Sequence, residues 1–132
     1  MSQENVDVVR RAFAAWESGN SAAILQYLHE DVVSRRVAPL IDPQTHHGPN
    51  GVIELIAGWL KPYDHFSSRA DEFIEAGDSV VVRVPQEARL AGSEQLLTGT
   101  FWFLLGFQDE KIIRLEIYGE RGQALEAAGL SE

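Results

Sequence analysis

Three groups of residues carry side chains able to move protons or hold charge. His46 and His47 are adjacent, and the nearest carboxylate is Asp42. Neighbouring side chains point in different directions, whereas zinc ligands usually stand a turn or more apart, so no metal site is expected. The pair reads as a solvated loop, with a pocket lid as the alternative. His65 follows Tyr63 and Asp64 where a helical stretch gives way to strands. An imidazole changes charge near neutral pH and could act there as acid or base. The plainer reading is a surface histidine with an exposed Asp64 beside it. Glu116 is a carboxylate in a mostly apolar strand, on one face with Arg114 and Tyr118. If buried, it would titrate high unless a cation paired with it. Ser34, Ser67 and Ser79 lack the Gly-x-Ser-x-Gly elbow of a serine hydrolase. Gly48-Pro49-Asn50-Gly51 lacks the lysine of a phosphate loop.

These groups need a scaffold, and the composition limits which kind. The chain has 132 residues, enough for one domain spanning 1–132. Hydrophobic residues make up 45% and charged residues 23%, which is globular rather than disordered. Twenty acidic against eleven basic residues give a net charge of −9, a balance that disfavours nucleic acid as a partner. There is no cysteine, hence no disulfide and no thiolate chemistry. The longest apolar run, 101–105, is far short of the roughly 20 residues of a membrane span. The first residues lack a secretory pattern, so a cytoplasmic protein without membrane partners is expected.

Helices come first along the chain. Val6, Val9, Phe13 and Trp16 recur at helical spacing between a Ser2 cap and Gly19. Asn20 opens a second short helix with Ile24, Leu25 and Leu28 inward. Residues 31–37 read as extended, and 39–50 as loop, since Pro39, Pro43, Gly48 and Pro49 fall there. Asn50 caps a third helix with the stripe Ile53, Ile56, Ala57 and Leu60, and Pro62 stops it. Strands follow over 66–76, 79–90, 94–107 and 111–118, parted by turns too short for parallel crossovers. A tail helix over 123–128 ends at Gly129, with Leu130 folding back on Leu125. Helices followed by a strand meander predict an α+β domain. Phe101, Phe103, Leu105 and Phe107 share one strand face, while Trp102 and Leu104 take the other. Both faces then need cover. If the helices cover one, a second copy of the chain would cover the other through Trp102, Leu104, Ile113, Leu115 and Ile117, giving a homodimer.

Five stretches together resemble the SnoaL-like branch of the nuclear-transport-factor-2-like superfamily, which includes ketosteroid isomerases and polyketide cyclases. They are Glu4-Asn5-Val6 with 11–16, Leu28-His29-Glu30-Asp31-Val32, His47-Gly48-Pro49-Asn50-Gly51-Val52, 76–83 and 124–130. The resemblance implies a cone, with N-terminal helices packed on a curved, mainly antiparallel sheet around a cavity. It does not fix an activity, because one fold hosts many. By approximate register, the tyrosine, general-base aspartate and protonated aspartic acid of a ketosteroid isomerase correspond here to Phe13, Arg36 and Phe103. A phenyl ring is no donor to an oxyanion, and an arginine is no base. That isomerase reaction is therefore not expected. Nor is the limonene epoxide hydrolase arrangement, since Val84 and Pro85 follow Arg83.

The same register turns Glu116 and Tyr118 towards the cavity and brings Arg36 to its rim. A direct or water-mediated Arg36–Glu116 pair is expected, serving as a structural ion pair or a ligand anchor. The candidate pocket set is Phe13, Trp16, Arg36, Trp59, His65, Phe101, Phe103, Glu116 and Tyr118. Two functions stay open. One is binding of a small, mostly apolar molecule, with cofactor-free acid–base chemistry of isomerase, cyclase or dehydratase type as an extension. The other is a non-catalytic dimerising module whose cavity is filled by its own aromatics. Neither requires a cofactor, and whether the chain is catalytic is left open.

Overall fold

A computed structural model describes residues 2–37 and 45–130. Helix α1 spans Ser2–Glu17, and a 3₁₀ helix follows over Ser21–Tyr27. Strand β1 covers Leu28–Arg36, and β2 is the short Thr45–His47. Helix α2 runs over Gly48–Leu60. Then come β3 (Tyr63–Ser68), β4 (Glu72–Ala76), β5 (Ser79–Leu90), β6 (Leu96–Gln108) and β7 (Lys111–Tyr118), and α3 (Arg121–Ala127) closes the described chain.

The strands make one strongly curled sheet in the order β2-β1-β7-β6-β5-β3, with β4 also beside β5. All pairings are antiparallel except β1 with β7. The β6–β7 turn uses Asp109 (φ 54°) and Glu110 (φ 66°), the left-handed pair whose twist suits a tight hairpin. Helices α1 and α2 pack on the concave face. The main core joins Val9, Phe13, Val52 and Trp59 to Val82, Phe103 and Ile117 of the sheet. On the convex face, α3 lays Ala124 and Leu125 over Val81, Trp102 and Leu104. Its end is a Schellman motif: Leu130 N donates to Leu125 O at 2.8 Å and Gly129 N to Glu126 O at 3.0 Å.

The expected α+β cone is therefore present, and the differences lie in its details. The stretch read as one strand over 66–76 is two, β3 and β4, both paired to the long β5. Leu25 is 39% exposed while Ile24 and Leu28 are buried. In a 3₁₀ helix, positions three apart eclipse, so Leu25 falls a third of a turn from the face that Ile24 presents. His46 and His47 lie in a strand rather than a loop, pairing with Ser34 and Val33. Asp42 lies outside the described residues. Helix α2 starts at Gly48, earlier than Asn50, with Pro49 in its first turn, where a missing N–H costs nothing. Its buried stripe is Val52, Leu55 and Trp59 rather than Ile53, Ile56, Ala57 and Leu60. Both stripes have helical period, and the indole of Trp59 takes the larger space over the sheet. Gly51 lets α2 approach β2 closely: a Cβ there would meet His46 Cβ at 3.0 Å.

The five apolar residues expected to need a second copy are divided between the faces. Leu115 and Ile117 belong to the core under α1 and α2, and Trp102 and Leu104 are buried beneath α3. Ile112 rather than Ile113 enters the core, because a bulge at Gly106/Phe107 shifts the β6–β7 register.

Candidate functional site

Between the N-terminal helices and the concave face lies a cavity of about 60 Å³. Phe13 and Trp16 reach it from α1, Leu55 and Trp59 from α2, Phe103 from β6 and Ile117 from β7. None of the lining residues is ionisable. Helical spacing places Phe13 and Trp16 on one face of α1, and period two brings Phe103 and Leu105 to the same side of β6. The rings interlock. Phe13 meets Phe103 edge-on at 5.3 Å between centroids, and Trp59 stacks on Phe103 at 6.0 Å with an interplanar angle of 19°. Phe101 stands edge-on behind Trp59 at 5.1 Å. Such pairs add about 0.5–1.5 kcal/mol each beyond the area they bury.

Phe13, Trp16, Trp59 and Phe103 of the candidate set thus line one cavity, and the other members are placed differently. Phe101 supports Trp59 without being part of the lining. The Arg36 guanidinium rests on the outer part of this cluster, with Cζ 4.1 Å from the Trp59 ring centroid. Burial lowers the Arg36 pKa, the Tyr63 phenol opposes that shift, and an arginine stays charged regardless. His65 stands apart on β3, with Nε2 3.6 Å from Glu87 Oε2, and both side chains are about two-fifths exposed. Asp64 pairs with Arg89 at 3.1 Å in solvent.

Glu116 and Tyr118 do not face the cavity. Residue pairs in a ladder share a face, and Ile117 pairs with Phe103 and Arg36, while Glu116 pairs with Leu104 and Arg35. Glu116 and Tyr118 are therefore on the convex side, and the expected Arg36–Glu116 pair is replaced by a local cluster. Arg114 Nη2 donates to Glu116 Oε1 at 2.8 Å, and Tyr118 Oη donates to the same oxygen. Burial raises the Glu116 pKa, but the hydrogen bonds from Arg114 and Tyr118 outweigh it and leave the carboxyl below its ordinary value. Burial and the Glu116 contact push the Tyr118 phenol up to about 12.

The sequence reading missed two polar features: a cleft of about 490 Å³ walled by Ser67, Glu87, Thr98 and Thr100 on the convex side, and the inward Gln86. Gln86 is 8% exposed and its Nε2 has no hydrogen-bond partner. A signal existed: Val80, Val82, Val84, Gln86 and Ala88 are the buried side of β5, and one of them is polar. Trp16 ties α1 to β3: its ring lines the apolar cavity and its Nε1 donates to Ser68 Oγ at 2.7 Å. Among the described residues no cluster of three or more metal-ligating side chains forms, and no helix is long and apolar enough to cross a membrane.

The SnoaL-like domain family matches residues 9–115. No curated protein matches the chain in sequence. Among solved structures, an NTF2-like protein of unknown function from Burkholderia pseudomallei superposes with TM-score 0.77 at 21% identity, over 93% of this chain and 95% of that one. TerC, crystallised with polyporic acid, gives TM-score 0.75 at 24% identity over 96% and 98% of the two chains. A protein from Jannaschia sp. CCS1, described as a SnoaL-like polyketide cyclase, gives 0.76 at 17% identity over 89% and 85%. At these identities the likeness establishes the nuclear-transport-factor-2-like fold.

Proposed function

The chain belongs to the SnoaL-like domain family, and from that premise we propose that it binds a small, mostly apolar molecule in the cavity of its cone. The observation that carries this reading is the lining itself. Phe13, Trp16, Trp59 and Phe103 converge there from three elements, with a guanidinium stationed on Trp59. Ligand sites are mostly apolar concavities with a few polar groups at their margin. The polyporic acid in TerC supports the reading by analogy. No lining residue carries a titrating side chain, so binding is favoured over acid–base catalysis of isomerase, cyclase or dehydratase type.

The self-filled alternative has one observation in its favour: about 60 Å³ is well below the roughly 300 Å³ at which ligand pockets begin. A ring must swing aside for a ligand to fit. Tryptophan emission separates the readings, because Trp16 and Trp59 line the cavity while Trp102 lies under α3. In a Trp102→Phe variant, titration with isopentylbenzene should change the emission saturably. A flat titration up to the solubility limit would overturn the proposal in favour of the filled cavity.

Pairing of two copies through the convex face belongs to the same proposal. Its support is the part of that face α3 leaves open, where Val33 is 38% exposed. Sedimentation equilibrium showing only a 14.7 kDa species would overturn it.

A further inference from the structure

We infer that Arg36 is the charged anchor of the binding site, holding the carboxylate of a ligand whose apolar body occupies the aromatic cavity. This rests on the binding function proposed above and names its ligand class: a small aryl or alkyl monocarboxylate rather than a neutral molecule.

The placement follows from the register. Arg36 pairs with Ile117, and Ile117 pairs with Phe103, so the three form one row across β1, β7 and β6. Ile117 and Phe103 both line the cavity, so Arg36 belongs to the concave side with them. Trp59 of α2 stands over this row. Its ring lines the cavity, stacks on Phe103 at 6.0 Å and carries the Arg36 guanidinium at 4.1 Å. One indole therefore separates the charge from the cavity. Trp59 is buried, whereas Arg36 is half-buried and open to an incoming molecule.

The donor chemistry selects the ligand group. Stacking on Trp59 uses a face of the guanidinium, whereas its five N–H donors lie in the plane and can serve more than one acceptor. That planar fork matches the two oxygens of a carboxylate. Burial works against the Arg36 charge, and an anion seated against it offsets that cost. No lining residue is ionisable, so no carboxylate of the cavity opposes an acidic ligand. The net charge of −9 does not draw anions from a distance, so the contact with Arg36 must supply the recognition.

Geometry limits the ligand body. The row from Arg36 to Phe103 crosses two strand spacings, roughly 10 Å. A phenyl ring carrying a carboxylate on a short chain spans that distance. The cavity, about 60 Å³, admits a ring only when an indole moves. Trp59 is the ring whose swing joins the cavity to the guanidinium, since it touches both.

The test compares 3-phenylpropanoate, benzylacetone and isopentylbenzene, which share one shape and end in a carboxylate, a ketone and a hydrocarbon. The readout is the set of dissociation constants in wild type, Arg36→Met and Arg36→Lys. Wild type should bind the carboxylate more tightly than the ketone, and the reverse order would overturn the anchor without any variant. Arg36→Met keeps an unbranched apolar stem against Trp59 and removes the charge. It should weaken the carboxylate about tenfold relative to the hydrocarbon, on the scale of a hydrogen bond to a charged group. Arg36→Lys should recover part of that loss, since it keeps the charge and loses the fork. A carboxylate-to-hydrocarbon ratio unchanged in Arg36→Met would overturn the anchor and leave the apolar cavity standing. Equal weakening of all three probes would do the same, because Arg36 would then only brace Trp59. Failure of wild type to bind any of the three would instead overturn the binding function, and the anchor with it.

Discussion

The two faces of the sheet solve the same burial problem with different means. On the concave side, α1 and α2 bring aromatic rings onto Phe103 and Ile117, and charge stays at the margin, where Arg36 lies on Trp59. On the convex side, the seven-residue α3 shelters Trp102 and Leu104. Beside that shelter Arg114 and Tyr118 both donate to the Glu116 carboxylate. Cover decides the chemistry. Where helices exclude water, an unpaired charge is too costly to keep. Where the sheet meets solvent, ion pairs cost little and contribute little. The apolar ligand proposed above therefore suits the concave side.

The largest expected effect breaks the concave side. Trp59→Ala removes an indole that is 3% exposed and touches three other aromatic rings. Urea denaturation should show a loss of about 3–5 kcal/mol, the usual range for deleting a core tryptophan. A loss under about 1 kcal/mol would mean that the concave face is not the main source of stability. The corresponding convex change, Leu125→Ala, should cost about 2 kcal/mol, the low end for a buried leucine, since the layer over it is thin. An equal or larger cost than at Trp59 would reverse the ranking of the two faces.

Glu116→Gln tests the convex ion cluster and should cost about 1 kcal/mol near neutral pH, because Arg114 is 41% exposed and solvent screens the pair. The pH dependence has a definite sign. Glu116 titrates lower in the folded chain than when unfolded. Its contribution is complete above the unfolded value of about 4.3 and is lost as pH falls through the folded one. The stability gap between wild type and variant should close on acidification, as read from denaturation midpoints. Tyr118 gives the opposite limb. Its folded value of about 12 lies above the unfolded one, so its contribution is complete below about pH 10 and lost as pH rises towards 12. Absorbance at the tyrosinate band should show one of the three tyrosines titrating later than the others, and Tyr118→Phe should remove that phase.

The smallest effect returns to the concave face. Ser34 Oγ is fully buried and has no hydrogen-bond partner. Ser34→Ala should leave stability within about 0.5 kcal/mol of wild type or raise it, because it removes a polar atom that makes no bond. A loss above about 1 kcal/mol would reveal a partner for this hydroxyl.

Periodicity and turn chemistry were enough to place most elements, since both are local. The turn between 107 and 111, the Gly129 end of α3 and the alternation along β6 all follow from a few neighbouring residues. Local spacing also put Phe13 with Trp16 on one helix face and Phe101 with Phe103 on one strand face, while their place around a cavity came from the family resemblance. Local rules do not choose between two faces that are both apolar, and there the reading went astray. Nothing within β7 says whether Ile117 or Glu116 meets the helices. That was decided by the parallel pairing with β1, which aligns Ile117 with Arg36 and Glu116 with Arg35. The same holds for α2, whose two apolar stripes are equally periodic until Trp59 finds its place on the sheet. Gln86 marks the remaining boundary. Its position on the buried side of β5 was written in the alternation, but Ser68 and Gly99 come alongside it only through the pairing with β3 and β6. Sequence determined which residues are apolar and where the chain turns. Tertiary pairing decided which face became the interior, because that choice depends on contacts between segments far apart in the chain.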